Sequence, residues 1–190
     1  MKEVITIIGI LLTLIAYIPY LINCYSGKTK PHLFSWFVWG CVATLAFALQ
    51  VSDNAGPGSF VTLAAALICF IIILFGLKNG KKDIVKIDFI CLILAFVSII
   101  LWLVIKQATL SVIIVCLIDV LGFIPTIRKS WYKPHEETAF TYGLNSFRHI
   151  LSISALTNYT IVTLLYPLSW SITNGLFVIM LLIRRRKKDI

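Results

Sequence analysis

Long apolar stretches separated by short charged loops fill this sequence from end to end, and a bilayer is the environment in which such a chain can fold. Of 190 residues, 59% are hydrophobic and 13% are charged, and the mean hydropathy is +0.96. A soluble domain of that composition would expose large apolar patches. Crossing the hydrocarbon takes about 20 apolar residues, and suitable segments lie at about 3–23, 33–51, 57–77, 85–105, 109–127, 138–157 and 160–183. The expectation is an all-α integral membrane protein with seven transmembrane helices. The first segment follows only Met1, Lys2 and Glu3 and lacks a small-residue cleavage site, so it reads as the first helix and not as a cleaved signal peptide.

The second half of the chain repeats the first. Tyr17 to Gly40 lines up with Phe123 to Gly143 once three loop residues are dropped, and both halves close on the string KKDI. All six prolines fall into pairs: Pro19 with Pro125, Pro31 with Pro134, Pro57 with Pro167. Pro31 and Pro134 suit helix starts. Pro19, Pro125 and Pro167 lie inside spans, where each removes a backbone donor and frees a carbonyl that a neighbour or water must satisfy, so these three are the candidate hinges. Helices 1–3 and 5–7 form the two copies. An odd number of spans per copy would invert the second, and helix 4 restores its direction. The expected organisation is a first three-helix bundle at 1–83, an inversion linker helix at 84–106 and a second, parallel three-helix bundle at 107–190.

Charge sets the orientation. With the amino terminus outside, the inner loops and tail carry Lys28, Lys30, Lys78, Lys81, Lys82, Lys86, Arg128, Lys129, Lys133, Arg184, Arg185, Arg186, Lys187 and Lys188, fourteen of the 17 basic residues. The net charge of +9 is then accounted for by an anionic cytoplasmic leaflet, and no nucleic-acid partner is expected.

A proline near the inner end of helix 1, a basic loop of about ten residues, aromatic spacing of the Ser-x-x-x-Trp kind and the 3-1-3 repeat together resemble the PQ-loop and SWEET-like transporter superfamily. The resemblance covers essentially the whole chain, although Tyr20 and Thr126 stand where the family has glutamine. It implies two bundles that rock by alternating access around a mid-membrane substrate site. It also implies substrate contact by an asparagine on the last helix of a bundle, a place that Asn174 fits and that Ala64 holds in the first copy.

The polar residues within the hydrocarbon are concentrated in the second copy. Asp119 lies about 10 residues into helix 5, or ~15 Å at 1.5 Å per residue, and Arg148 and His149 fall at the middle of helix 6. Unpaired charge in lipid costs several kcal/mol, so Asp119 and Arg148 are expected to face the interior and to pair with each other. Tyr142, Asn145, His149 and Ser152 share one helical face with Arg148 alongside, whereas their first-copy counterparts Trp39, Val42, Leu45, Ala46 and Leu49 are apolar. Asp119 stands opposite Thr13, and Asn174 opposite Ala64. The candidate substrate-binding residues are Trp39, Tyr142, Asn145, Arg148, His149, Trp170 and Asn174. Asp119, His149 and Arg148 form the candidate proton-coupling or ion-pair group. A structural lock between Asp119 and Arg148 accounts for the same residues without a ligand.

The five cysteines are widely spaced and read as small apolar fillers, with no disulfide frame, metal site or cofactor expected. No nucleophile–base or paired-carboxylate arrangement points to an enzyme. The leading expectation is a transporter of a small polar or anionic solute in the plasma membrane (the inner membrane of a bacterium), with homo-oligomerisation open. A receptor of the same fold that holds a ligand carboxylate without transport is the alternative. A tag at the amino terminus should be reachable by antibody from outside intact cells, and a carboxy-terminal tag only after permeabilisation; both tags reporting one side would refute an odd number of spans.

Overall fold

The computed structural model describes residues 1–26, 31, 33–77, 86–132 and 134–187, and every regular element among them is helical. Helix α1 spans Lys2–Tyr25 and α2 spans Leu33–Ser52. A 3-10 turn at Gly56–Gly58 leads into α3, Ser59–Gly76. Helix α4 is Lys86–Leu103 and α5 is Ala108–Tyr132. A second 3-10 turn, Pro134–Glu136, precedes α6, Ala139–Ser154, and α7 is Ile161–Arg186. Three stretches, Lys2–Tyr25, Gly56–Gly76 and Ile161–Arg186, are long and apolar enough to cross a membrane, and shorter apolar helical stretches run over Trp36–Ser52, Ile93–Leu103 and Ala108–Ile124. Lys28, Lys30, Lys78, Lys81, Lys82, Lys133 and Lys188, and the boundary expected between 83 and 84, lie outside the described residues, as do the side chains of Pro125, Arg128 and Lys129.

Polarity is distributed as a bilayer requires. On α1 the large residues Ile7, Leu11, Leu14, Ile15 and Ile18 are exposed, while the buried face is Thr6, Gly9, Thr13, Ala16, Tyr17 and Cys24. Lipid tails solvate the outward side chains, and small inward residues let helices approach closely. Gly9 shows how closely: a Cβ there would sit 2.9 Å from Cγ2 of Val61 on α3.

Sequence neighbours are not always packing neighbours. Helix α1 packs on α3 and α6, α2 on α3, α4 and α5, and α7 on α5 and α6. Between α4 and α5, Ser98 and Ser111 exchange hydrogen bonds, each hydroxyl donating to the other's carbonyl at 2.8 and 2.9 Å. The largest apolar cluster joins Val38, Val42 and Leu49 of α2 to Val112, Val115 and Ile118 of α5 and to Tyr166 of α7.

Carbonyls preceding two of the prolines accept bonds from the other half of the chain. Pro167 lies inside α7 and frees the carbonyl of Thr163 four residues earlier. Gln50 of α2 supplies the missing donor, its Nε2 reaching the Thr163 oxygen at 3.0 Å. Pro19 lies inside α1, and the nearby Ala16 carbonyl accepts from Thr141 Oγ1 of α6 at 3.2 Å.

At the end holding the α2–α3 and α6–α7 turns the halves are knitted together. The Thr157 amide donates to Ala55 O at 2.7 Å, Asn158 Nδ2 to Asp53 O at 2.9 Å, and Thr160 Oγ1 to the Asp53 carboxylate. Ser152 Oγ donates to Gly58 O at 2.9 Å. Gly56 turns through a positive φ of 72°, open to glycine at little cost. Gly58 is needed for closeness instead: a Cβ there would meet the Ser152 carbonyl and lie 2.9 Å from the Leu156 amide. Gly58→Ala should therefore cost about 1–3 kcal/mol, read as a lower unfolding midpoint in detergent. Gly143→Ala, where a Cβ meets nothing within 4 Å, should leave the midpoint unchanged or raise it.

Candidate functional site

The inward face of α6 carries Thr141, Asn145, Arg148, His149 and Ser152, all buried. Arg148 is 2% exposed. Its Nε donates to Asn145 Oδ1 at 2.8 Å, one turn away on the same helix. Its Nη1 stands 3.4 Å from both Thr13 Oγ1 on α1 and the Val61 carbonyl on α3, at the long end of hydrogen bonding. Asn145 in turn donates from Nδ2 to the Tyr17 hydroxyl at 3.1 Å. Among the described residues the one ion pair is at the chain start, between the Met1 ammonium and Glu3. The buried guanidinium is thus held by neutral acceptors, which offset less of its desolvation than a carboxylate would.

An aromatic file continues from Tyr17. Trp36 meets Tyr17 edge-on at 6.3 Å and Trp39 edge-on at 5.2 Å between ring centroids. Trp39 ends the file against α5, where a Cβ on Gly122 would lie 2.6 Å from the indole nitrogen. This packing is open only to glycine at position 122.

A second group forms around Trp170 of α7. Its indole nitrogen donates to Asp119 Oδ2 at 2.9 Å, its ring stacks on His149 at 6.1 Å and 18°, and its carbonyl accepts from Asn174 Nδ2 at 2.8 Å. Tyr166 closes the group, edge-on to His149 at 6.3 Å. Four buried polar features here lack a hydrogen-bond partner: Asp119 Oδ1, Asn174 Oδ1 and both ring nitrogens of His149. Unsatisfied buried polar atoms cost about 1–3 kcal/mol each, and the concentration of four of them around one tryptophan makes this the candidate site. Asp119 and Trp170 also line a small cleft with Val120, Phe123, Ser169 and Thr173.

The pairing expected between Asp119 and Arg148 is not formed. Helix α6, which carries Arg148, packs along α1 and α7, while α5, which carries Asp119, packs along α2, α4 and α7. Arg148 consequently meets Thr13, the residue aligned with Asp119 in the first half, and Asp119 meets Trp170. Asn145, Arg148 and His149 adjoin one another, and His149, Trp170 and Asn174 join Asp119 around the indole. Trp39 reaches the first group through the aromatic file. Tyr142 stands apart: its ring packs on Phe123 and Phe177 at 5.8 and 4.5 Å and its hydroxyl donates to Glu137 at 3.1 Å. Thr13, Gln50 and Tyr166 were missed as participants. Thr13 could have been found from its alignment with Asp119, and Gln50 as a lone amide deep in an apolar helix.

Compared with known proteins, the chain matches no family model, no curated protein and no solved structure.

The geometry makes a definite energetic prediction. Asp119→Asn and Arg148→Gln should change unfolding free energy additively, to within about 0.5 kcal/mol, in a double-mutant cycle monitored by thermal or denaturant unfolding. Asp119→Ala and Trp170→Phe should not, because removing either partner of the 2.9 Å bond already removes the interaction. A large Asp119–Arg148 coupling would mean that the two side chains meet after all.

Proposed function

We propose that this chain is a membrane carrier that moves a small polar or anionic solute by alternating access between two parallel three-helix bundles. The observation that carries the reading is Arg148: a guanidinium buried at the middle of α6, held by neutral acceptors among the described residues, and suited to a carboxylate or phosphate brought by a ligand. The bundle organisation is supported by helix packing. Exchanging α1 with α5, α2 with α6 and α3 with α7 turns the contacts α1–α3, α2–α3 and α1–α6 into α5–α7, α6–α7 and α2–α5, each of which is present. Helix α4 lies outside this exchange, against α2 and α5, as an inversion linker would.

The carrier needs a site that opens to one side at a time, and the buried ring of Thr13, Asn145, Arg148 and His149 is closed as it stands. The bonds from Asp53, Ala55 and Gly58 to the α6–α7 region act as the closure on the outer side. Pro19 and Pro167 supply the bends about which the bundles rock, with the Gln50–Thr163 bond holding one of them in its present position. Asp119 and His149 are the titratable groups that a proton-coupled cycle would use. The alternative is a receptor that holds a ligand carboxylate at Arg148 in one fixed conformation.

Cysteine accessibility separates the two without knowledge of the solute. Ala16 is wholly buried beside Tyr17, so Ala16→Cys in a cysteine-free background reports whether water reaches the site. A membrane-impermeant maleimide should label it from the cytoplasmic face. Adding Asp53→Ala should raise labelling from the outer face at least tenfold. Labelling that stays on one face regardless of Asp53 favours the receptor, and no labelling from either face rules out the carrier.

A further inference from the structure

Two chemically opposite groups stand in the interior without a charged partner among the described residues, and they belong to different seams of the fold. At the α1–α6 seam stands the Arg148 guanidinium, with Nη1 held only by bonds of 3.4 Å. At the α5–α7 seam stand acceptors without donors: Asp119 Oδ1 on α5 and, one turn past Trp170 on α7, Asn174 Oδ1. The His149–Trp170 ring pair connects them, since His149 adjoins Arg148 in sequence and Trp170 holds both Asp119 and Asn174.

From this we infer that the ligand is a small zwitterion, with a carboxylate received by Arg148 and an ammonium received by Asp119 and Asn174. The inference rests on the carrier reading above, in which one site opens to each side in turn. A carboxylate offers two oxygens to a planar guanidinium, which neutral hydroxyls and carbonyls cannot match. An ammonium offers three donors, enough for Asp119 Oδ1 and Asn174 Oδ1 with one to spare for a ring nitrogen of His149. Each end thereby removes a buried deficit that a simple anion would leave at Asp119 and a simple cation would leave at Arg148, and leaving such groups unpaired is what gives polar sites their discrimination. The ring pair, with centroids 6.1 Å apart, keeps the two charges separate, so the ends of the ligand are joined by a short apolar body. The aromatic file from Tyr17 to Trp39 and the apolar residues of α2 supply a wall for that body.

The test is a thermal-shift titration of the purified full chain with matched sets: 4-aminobutanoate, butanoate and butylamine, then 6-aminohexanoate, hexanoate and hexylamine, then alanine, propanoate and ethylamine. Ligands that bind the folded state raise its midpoint in proportion to occupancy. At least one zwitterion should reach its half-maximal shift at a concentration tenfold or more below both of its one-ended analogues. Asp119→Asn should abolish that advantage while leaving the response to the carboxylate, and Arg148→Gln should abolish both. If a carboxylate matches its zwitterion within twofold, the inference fails while an anion carrier stands. If no compound in any set shifts the midpoint, the inference also fails, and the Ala16→Cys labelling decides separately whether the chain alternates between faces.

Discussion

A positive charge buried inside the helix bundle organises much of this structure. Arg148 sits at the middle of α6 with nearly its whole side chain buried, and in surroundings of low dielectric a guanidinium must be given acceptors or it will not stay there. Asn145 comes from the same helix, Thr13 from α1 and the Val61 carbonyl from α3. Bringing a backbone oxygen of α3 within reach requires close helix approach, and Gly9 permits it by leaving room for Val61. The polar contacts of Arg148 and the small-residue packing thus meet at Val61.

The remaining buried polar groups divide by how fully they are satisfied. Gln50 caps the carbonyl freed by Pro167, Ser98 and Ser111 cap each other, and Ser152 caps Gly58. These bonds hold helices together across the hydrocarbon, where backbone groups have no water to turn to. Gln50 Oε1 and Thr62 Oγ1 keep no partner of their own, and the other four unpartnered atoms among the described residues, on Asp119, Asn174 and His149, gather around Trp170. That concentration sets the candidate site apart from the packing around it, and its acceptors are the ones the proposed ammonium would meet.

Much of this was legible in the chain. Apolar stretches of membrane length read as helices because lipid admits little else, and the described helices fall within a few residues of those stretches. Helical periodicity placed Asn145, Arg148, His149 and Ser152 on a common inward face, as they are found. The same reasoning put Tyr142 with them, yet its ring is drawn into the cluster of Phe123 and Phe177, where an aromatic gains more from packing than from a polar cavity. Pairing Asp119 with Arg148 failed because it treated consecutive helices as touching ones.

The sequence by itself determined what each segment is: its length, its helical state, which of its faces is polar and where prolines interrupt its hydrogen bonding. These follow from local periodicity, backbone hydrogen bonding and the cost of charge in hydrocarbon, all of which act within a single helix. Only the tertiary structure decided who meets whom. Arg148 meets Thr13 and Asp119 meets Trp170 because α6 lies against α1 and α5 against α7. That order is set by how several helices share a limited set of close-packing faces, a property of the assembled bundle that no single segment carries.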